Sequence, residues 1–466
     1  MNMRPPFFST PVRPQPMALA GRRVLVLGLG DTGLSVVNWL KGEGGNVRIA
    51  DTRASPPRRE SLHEEEIVTG KFKASLLKDM DLVCISPGLS LHEELIQAAL
   101  TKNIPVVGDI ELFAWQVRAR AGGKVLAVTG TNGKSTVTAL TGHLLRSAGI
   151  ECEVAGNIGP PALAALAKRG KQQPAAWVLE LSSYQLETTW SLEPDAAALL
   201  NLSEDHLDRY AGLAEYAEAK ARVFMGKGAQ VLNRCDSASM ALALPDRVQV
   251  TFGMDAPPVA EDFGIAKVAG RAWLARGGER ILAVEELPLS GAHNASNALA
   301  ACALAHLAGA PLATLANGLR SFRGLPHRMA RVALRGGVEW FDDSKGTNVG
   351  ATVAALNGLS RDTVLILGGE GKGQNFAPLV PAIRARAKHV LLVGRDAALI
   401  EKAIASSGVA SERIESMEEA VVRAAQVAAP DDAVLLSPAC ASFDMFRDYK
   451  HRGEAFAAAV KALGHD

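Results

Sequence analysis

The apolar run Val125-Leu-Ala-Val128 passes without a break into Thr129-Gly-Thr-Asn-Gly-Lys-Ser-Thr136, and the pattern beyond it predicts a helix through Leu144. No other feature of the chain constrains its fold as strongly. A buried strand that ends in a glycine turn at a helix start leaves unpaired backbone N–H groups aimed at one point. Gly130 and Gly133 let that backbone cradle phosphates, with Thr131 and Asn132 between them. Lys134 supplies a point charge to the outer phosphates, and Ser135 or Thr136 can hold Mg²⁺. The spacing is shorter than in the usual phosphate loop, since the first glycine lies three residues before Gly133 and Val128 stands where it is normally found. A lysine followed by Ser-Thr at a helix start is poorly explained by the needs of a turn, so ATP is the expected ligand.

The 466 residues are enough for about three domains. Strand-like runs alternate with helical stretches almost throughout, which predicts α/β domains with largely parallel sheets. Glycine breaks near 121 and 324 divide the chain into 21–121, 122–323 and 324–466. Five prolines between Pro5 and Pro16 predict a flexible extension over residues 1–20. Lys+Arg at 50 nearly cancels Asp+Glu at 49, so overall charge gives no argument for nucleic acid or an acidic membrane surface. No apolar run reaches the ~18 residues of a membrane span. The odd number of cysteines, five with no CxxC pair, fits reduced thiols in the cytoplasm.

In the first segment, Val24-Leu-Val-Leu-Gly-Leu-Gly-Asp-Thr-Gly33 is a strand followed by GxGxxG, and Asp51 ends a second strand about twenty residues later. On its face this is a dinucleotide fingerprint. Arg53 opens a second reading, in which the loop faces another phosphate or a uridine nucleotide. Ser86-Pro-Gly88 makes a further turn after a strand. Asp31, Thr32, Asp51, Thr52, Arg53 and Ser86 would then converge on the crevice at the strands' carboxyl ends.

Downstream of the phosphate loop, Glu180 ends a strand, and Asp205, His206 and Asp208 cluster after another. Each alone reads as well as a capped strand end or a structural histidine. Beside a phosphate loop a metal role becomes the better reading, because Mg²⁺ on nucleotide phosphates needs only one or two protein carboxylates. Lys220 lies on a helical stretch and reads from pattern as a solvated surface lysine. Asn294 and Asn297 share a helical face, where their amides could read a base edge or cap the helix.

Taken together and in this order, TGTNGKST, LELSSYQLE, NLSEDHLDRY, HNASN and LPHR resemble the Mur ligase family, ATP-dependent amino-acid ligases of peptidoglycan precursor synthesis. The resemblance runs from about Gly21 to Gly464. LGLGDTG, DTR, ISPG, GDIELF, DDSKGTN, LGGEGKG and SPACASFDMF point to the branch that joins D-glutamate to UDP-N-acetylmuramoyl-L-alanine. It implies three domains: a Rossmann-like UDP-binding domain, a central P-loop ATPase-like domain and a C-terminal Rossmann-like domain. It implies an acyl phosphate, attack on it by the amino group through a tetrahedral intermediate, and loss of phosphate. ATP and two Mg²⁺ ions are the implied cofactors. Lys220, in Ala219-Lys-Ala-Arg-Val-Phe224, is implied to carry a CO₂-derived carbamate that joins His206 at one metal, with Ser135 or Thr136 and Glu180 at the other.

The same resemblance assigns Asn157 and His206, with Thr32, Asp51, Thr52, Arg53 and Ser86, to the UDP substrate. Asn294, Asn297, Arg328 and Asp343 go to the nucleotide, and Lys345 to the tetrahedral centre or phosphate. Thr347, Lys372, Ser442 and Tyr449 go to D-glutamate. A cytoplasmic monomer is expected. Three other readings were weighed. A folate polyglutamate synthetase does not explain the DSKGTN and GGEGKG loops, an NAD-dependent oxidoreductase leaves GKST unused, and a P-loop switch or motor has no need of the third segment.

Overall fold

The computed structural model describes residues 14–62, 67–119, 123–206, 209–289 and 291–464, which build three sheets. Asp208 lies outside the described residues, as do residues 1–13 of the expected extension. The remainder of that extension differs from expectation. Leu19 is 4% exposed and packs in the core of the first sheet, and Arg22 donates its backbone N–H to the Leu19 carbonyl. An apolar side chain with a core within reach gains by being buried, so the ordered fold starts before Gly21.

The first sheet is parallel throughout, in the spatial order Ile67–Thr69, Asn46–Asp51, Arg23–Leu27, Leu82–Ile85, Val106–Val107. Val24 to Leu27 are at most 1% exposed, as expected of a strand covered on both faces. In the central sheet the loop strand Lys124–Thr129 runs between Ala176–Glu180 and Ala196–Leu199, all parallel. The register sets Val128 opposite Glu180 and Ala198, so Glu180 and the loop leave the sheet at the same edge. This sheet also carries strands not expected from an alternating pattern. Phe263–Val268, Arg271–Arg276 and Glu279–Ala283 form an antiparallel meander, turned at Ala269-Gly270 and Gly277-Gly278. The third sheet has the order Ala330–Arg335, Val338–Asp342, Ala433–Leu436, Thr363–Gly368, Ala387–Val393, Ser411–Arg413, antiparallel only at its first pair.

The three sheets are joined in two different ways. One apolar core runs from the first sheet into the central one, taking in Val26, Val37, Phe113, Leu163, Trp177 and Leu199. The helix Asp109–Ala119 is its hinge-pin. Phe113 meets Trp177 edge-on at 5.1 Å, a geometry worth about 0.5–1.5 kcal/mol beyond the area it covers. Buried Glu111 accepts the backbone N–H groups of Trp190 and Ser191 at 2.6 and 2.9 Å. The third sheet has cores of its own. Polar side chains link it to the phosphate loop and the segment after it: Arg328 with Ser135, and Asn348 with Asn132 and Asp205.

Candidate active site

The phosphate loop adopts the shape its glycines allow. Gly130 and Gly133 have φ of +145° and +86°, values that L side chains rarely adopt. A Cβ on Gly133 would meet Asn297 Oδ1 at 2.4 Å, so the helix Ala292–Ala308 presses its asparagine against the loop. Lys134 folds back and donates to the carbonyls of Gly130 and Thr131 at 2.9 and 2.8 Å.

Lys220 also donates to the Gly130 carbonyl, at 2.9 Å, and is 1% exposed over the ring of Tyr216. The surface reading of its helix is therefore corrected. The amine points inward beneath the loop, because the four-carbon stem can be buried while the nitrogen reaches a carbonyl. Burial drives its pKa well below the ordinary lysine value, and the charge of Lys134 adds to the fall against the opposing pull of Asp205 and Glu180. Both effects favour the neutral amine over a second ammonium on the same carbonyl.

Two cavities border this loop, and another joins them at Lys345. One of about 350 Å³ is lined by Asn132, Gly133, Thr136, Asn294, Asn297, Arg328, Asp343 and Lys345. It has the shape of a nucleotide site: amides on a helix face, an apolar wall at Leu289 and Leu325, and the loop at one end. Burial lifts the Asp343 carboxyl to about 7, although hydrogen bonding from Ser437 and the charge of Arg328 pull it down. Ser135 is buried outside the cavity wall, where Arg328 donates to its hydroxyl at 2.6 Å. Thr136, not Ser135, lines the cavity.

The second, of about 690 Å³, brings Thr32, Asp51, Thr52, Arg53 and Ser86 of the first sheet opposite Asn157 and Tyr449. Asp51 accepts the Leu29 N–H at 2.7 Å and the Arg53 guanidinium at 2.9 and 2.7 Å. Burial alone would raise its pKa, but those bonds outweigh it and hold the carboxyl below its usual value. The carboxylate is thus committed to the loop and to Arg53, which removes it from the ribose role it has in a nicotinamide site. A Cβ on Gly33 would strike the Gly28 carbonyl at 1.9 Å, whereas one on Gly30 would meet only open space. The third glycine serves close packing, and the second leaves room for a ligand to approach the backbone.

The third cavity, about 270 Å³, is lined by Lys134, Asn157, Glu180, Asp205, His206, Thr347, Asn348 and Lys372. Glu180 Oε1 accepts from the Asn157 amide at 2.8 Å, while Oε2, buried, has no partner. A buried carboxylate oxygen without a donor is costly unless a cation or proton meets it. His206 takes φ +55° and pairs Nδ1 with the Tyr184 hydroxyl at 2.7 Å. Lys372 also sits at positive φ, +50°, its ammonium 5.7 Å from the Phe443 ring. Such strained backbone persists only where its surroundings over-determine it.

Lys345 lines all three cavities. Its ammonium stands 3.9 Å from the Tyr449 ring, and burial, with Arg328 beside it, lowers its pKa to about 8. The four residues expected to meet D-glutamate divide. Thr347 and Lys372 share the third cavity, Tyr449 stands under Lys345 in the second, and Ser442 is buried and lines none of the three. Asp205, of the acidic cluster read from sequence, lines the third cavity, whereas Asn348 carries no ligand signal in the sequence. Asn348 ends the DSKGTN run, where it reads only as a helix cap.

Residues 22–108 match the MurD-like N-terminal domain of Mur ligases, 128–305 the Mur ligase middle domain, and 327–440 the Mur ligase glutamate ligase domain. The chain is 53% identical to the UDP-N-acetylmuramoylalanine–D-glutamate ligase of Nitrosospira multiformis, over 96% of this chain and 97% of that one. It is 51% identical to the enzyme of the same name from Thiobacillus denitrificans, over 96% and 98%. In fold it is similar to the UDP-N-acetylmuramate-alanine ligase MurC of Thermotoga maritima, with TM-score 0.62, 20% identity, and 95% and 100% coverage. MurF of Acinetobacter baumannii is similar too, with TM-score 0.60, 18% identity, and 95% and 91% coverage.

Proposed function

The chain belongs to the Mur ligase family, and on that premise we propose that it is an ATP-dependent ligase that joins D-glutamate to UDP-N-acetylmuramoyl-L-alanine, giving ADP and phosphate. The observation that carries this reading is the meeting of the three cavities at Lys345. A nucleotide, a long diphosphate-linked substrate and a small amino acid would each have a chamber, with their reacting ends together.

Two Mg²⁺ ions fit the donors present. Among the described residues no three His, Cys, Asp or Glu side chains gather as a ready metal cluster. An ion here would draw its oxygens mainly from phosphates, as Mg²⁺ does. The unpartnered Oε2 of Glu180 with the hydroxyl of Ser135 or Thr136 would suit one ion; His206 and a carbamate on Lys220 would suit the other. The carbamate would form by attack of the neutral Lys220 amine on CO₂, with one proton released. Mg²⁺ would supply neutralisation of the phosphate and carboxylate charges.

The protein's own part is to position and to neutralise. The glycines of the first sheet and Arg53 hold the diphosphate, so that the alanyl carboxylate reaches past Asn157 toward the loop. Lys134 and the loop N–H groups receive the γ-phosphoryl group as it passes to that carboxylate. Thr347 and Lys372 hold D-glutamate with its amine facing the acyl phosphate. Lys345 as an ammonium offsets the oxyanion charge of the tetrahedral centre.

The test is phosphate release with UDP-N-acetylmuramoyl-L-alanine, ATP, Mg²⁺ and D-glutamate. Release that needs all four is expected; none from folded protein would remove the reading. The role of Lys345 has its own signature in pH. The charged form, present below its pKa, is the one required, so kcat/KM should fall as pH rises through about 8. Arg328, Lys134 and Lys450 hold that value down, and Glu180 opposes them. Lys345→Arg, whose guanidinium stays charged, should be slower but should lose this limb of the profile.

A further inference from the structure

Asn348 opens the helix Val349–Gly358 of the third sheet's domain, and its Oδ1 accepts the Ala351 N–H at 2.9 Å. That cap fixes which way the amide points. The nitrogen therefore faces the central domain, where it donates to Asn132 Oδ1 at 3.1 Å and to Asp205 Oδ2 at 3.2 Å. Both amide hydrogens are used, on two different segments around the phosphate site. The loop side is itself pinned: Asn132 N–H donates to Asn201 Oδ1 at 2.8 Å, and Asn201 Nδ2 donates back to the Asn132 carbonyl at 3.1 Å. Asp205 is likewise held, accepting the His206 N–H at 2.9 Å. A Cβ on Gly350 would come within 3.3 Å of Asn132 Nδ2, so the first turn of the helix lies against the loop.

We propose that Asn348 is a positioning residue for the ligation step, a latch that fastens the third domain to the phosphate loop and so sets Thr347 and Lys372 opposite the acyl-phosphate site. This rests on the ligase reading above. Thr347 precedes the latch directly, and Lys372 shares the cavity with Asn132, Asp205 and Asn348. Among the described residues no apolar core like the one that welds the first two sheets spans the central and third sheets; the helices Ala292–Ala308 and Val349–Gly358 touch beside Gly291 and Gly358, and polar bonds hold the amino-acid side next to them. Of these, Asn348 alone grips both the loop and the segment that bears His206.

Two variants separate the latch from the cap. Asn348→Asp keeps an acceptor for the Ala351 N–H, but it loses both donors and sets a carboxylate against Asp205. Asn348→Ser keeps the cap and loses the bridge without repulsion. Both should melt close to the wild type. In Asn348→Asp, kcat should drop on the order of tenfold or more, as for a lost bond to a charged partner. KM for D-glutamate should rise while KM for the UDP substrate stays, and Asn348→Ser should fall between it and the wild type. Small-angle X-ray scattering with the β,γ-imido analogue of ATP and the UDP substrate should give a larger radius of gyration for Asn348→Asp than for the wild type. Wild-type kinetics and dimensions in Asn348→Asp overturn the proposal, as does a wild-type rate in Asn348→Ser. If the wild type itself releases no phosphate, the ligase reading fails, and the scattering comparison still decides the latch.

Discussion

Lys220→Ala should lower kcat by roughly 10²–10³-fold, the range typical for removal of a preorganised charge-stabilising group. The side chain is buried beneath the phosphate loop, with its amine on the Gly130 carbonyl. As an ammonium it would add positive charge where Lys134 already stands and where metal ions are needed. As a carbamate it would be a carboxylate on a long arm, able to hold one of those ions. Alanine is a good helix former, so the helix Leu213–Ala221 should persist. Bicarbonate should not restore the rate, because no amine remains to take up CO₂. Steady-state phosphate release beside a melting curve makes the measurement. A full rate in Lys220→Ala would end the carbamate assignment.

Glu180→Gln should cost about 10²-fold, with a different signature. The change keeps shape and volume and removes only the charge on a carboxylate whose Oε2 has no partner in the protein. Asn157, which donates to Oε1 at 2.8 Å, can still find the glutamine carbonyl. The loss should therefore appear as a shift of the Mg²⁺ titration to higher concentration, partly repaired by added metal. KM for D-glutamate should hardly move. An unshifted metal curve would take Glu180 out of the metal site.

The strand–loop–helix units were legible because parallel strands buried on both faces are written as continuous apolar runs, and Gly130 and Gly133 mark the turn between them. The cluster of Glu180 and His206 near the loop was legible for the same reason, since loops at the carboxyl ends of parallel strands converge. Lys220 was not legible from pattern. A lysine in a helix reads as solvated, and only the crossing of that helix beneath the loop buries it. The weld between the first two sheets was also hidden. Glu111 and Phe113 show that a helix has a buried face without showing that two sheets share it. Ser442 and Tyr449 lie seven residues apart, too far for spacing alone to say that one falls behind the cavity wall and the other in the next chamber. The meander at 263–283 was hidden because charged residues such as Lys267, Arg271 and Arg276 interrupt its strands, and Ala269-Gly270 and Gly277-Gly278 read equally well as loop breaks.

That weld has a consequence for how such a catalyst can change under selection. The distance from the diphosphate cradle to the phosphate loop is fixed by interlocked apolar side chains, and a substitution there risks the fold as well as the chemistry. Thr347 and Lys372, proposed to hold the incoming amino acid, belong to a domain with cores of its own, joined to the phosphate loop by polar contacts. Its loops can drift toward a different amino acid while the carboxyl-activating half stays as it was. The molecule thus divides into a part whose errors are lethal and a part whose errors are experiments.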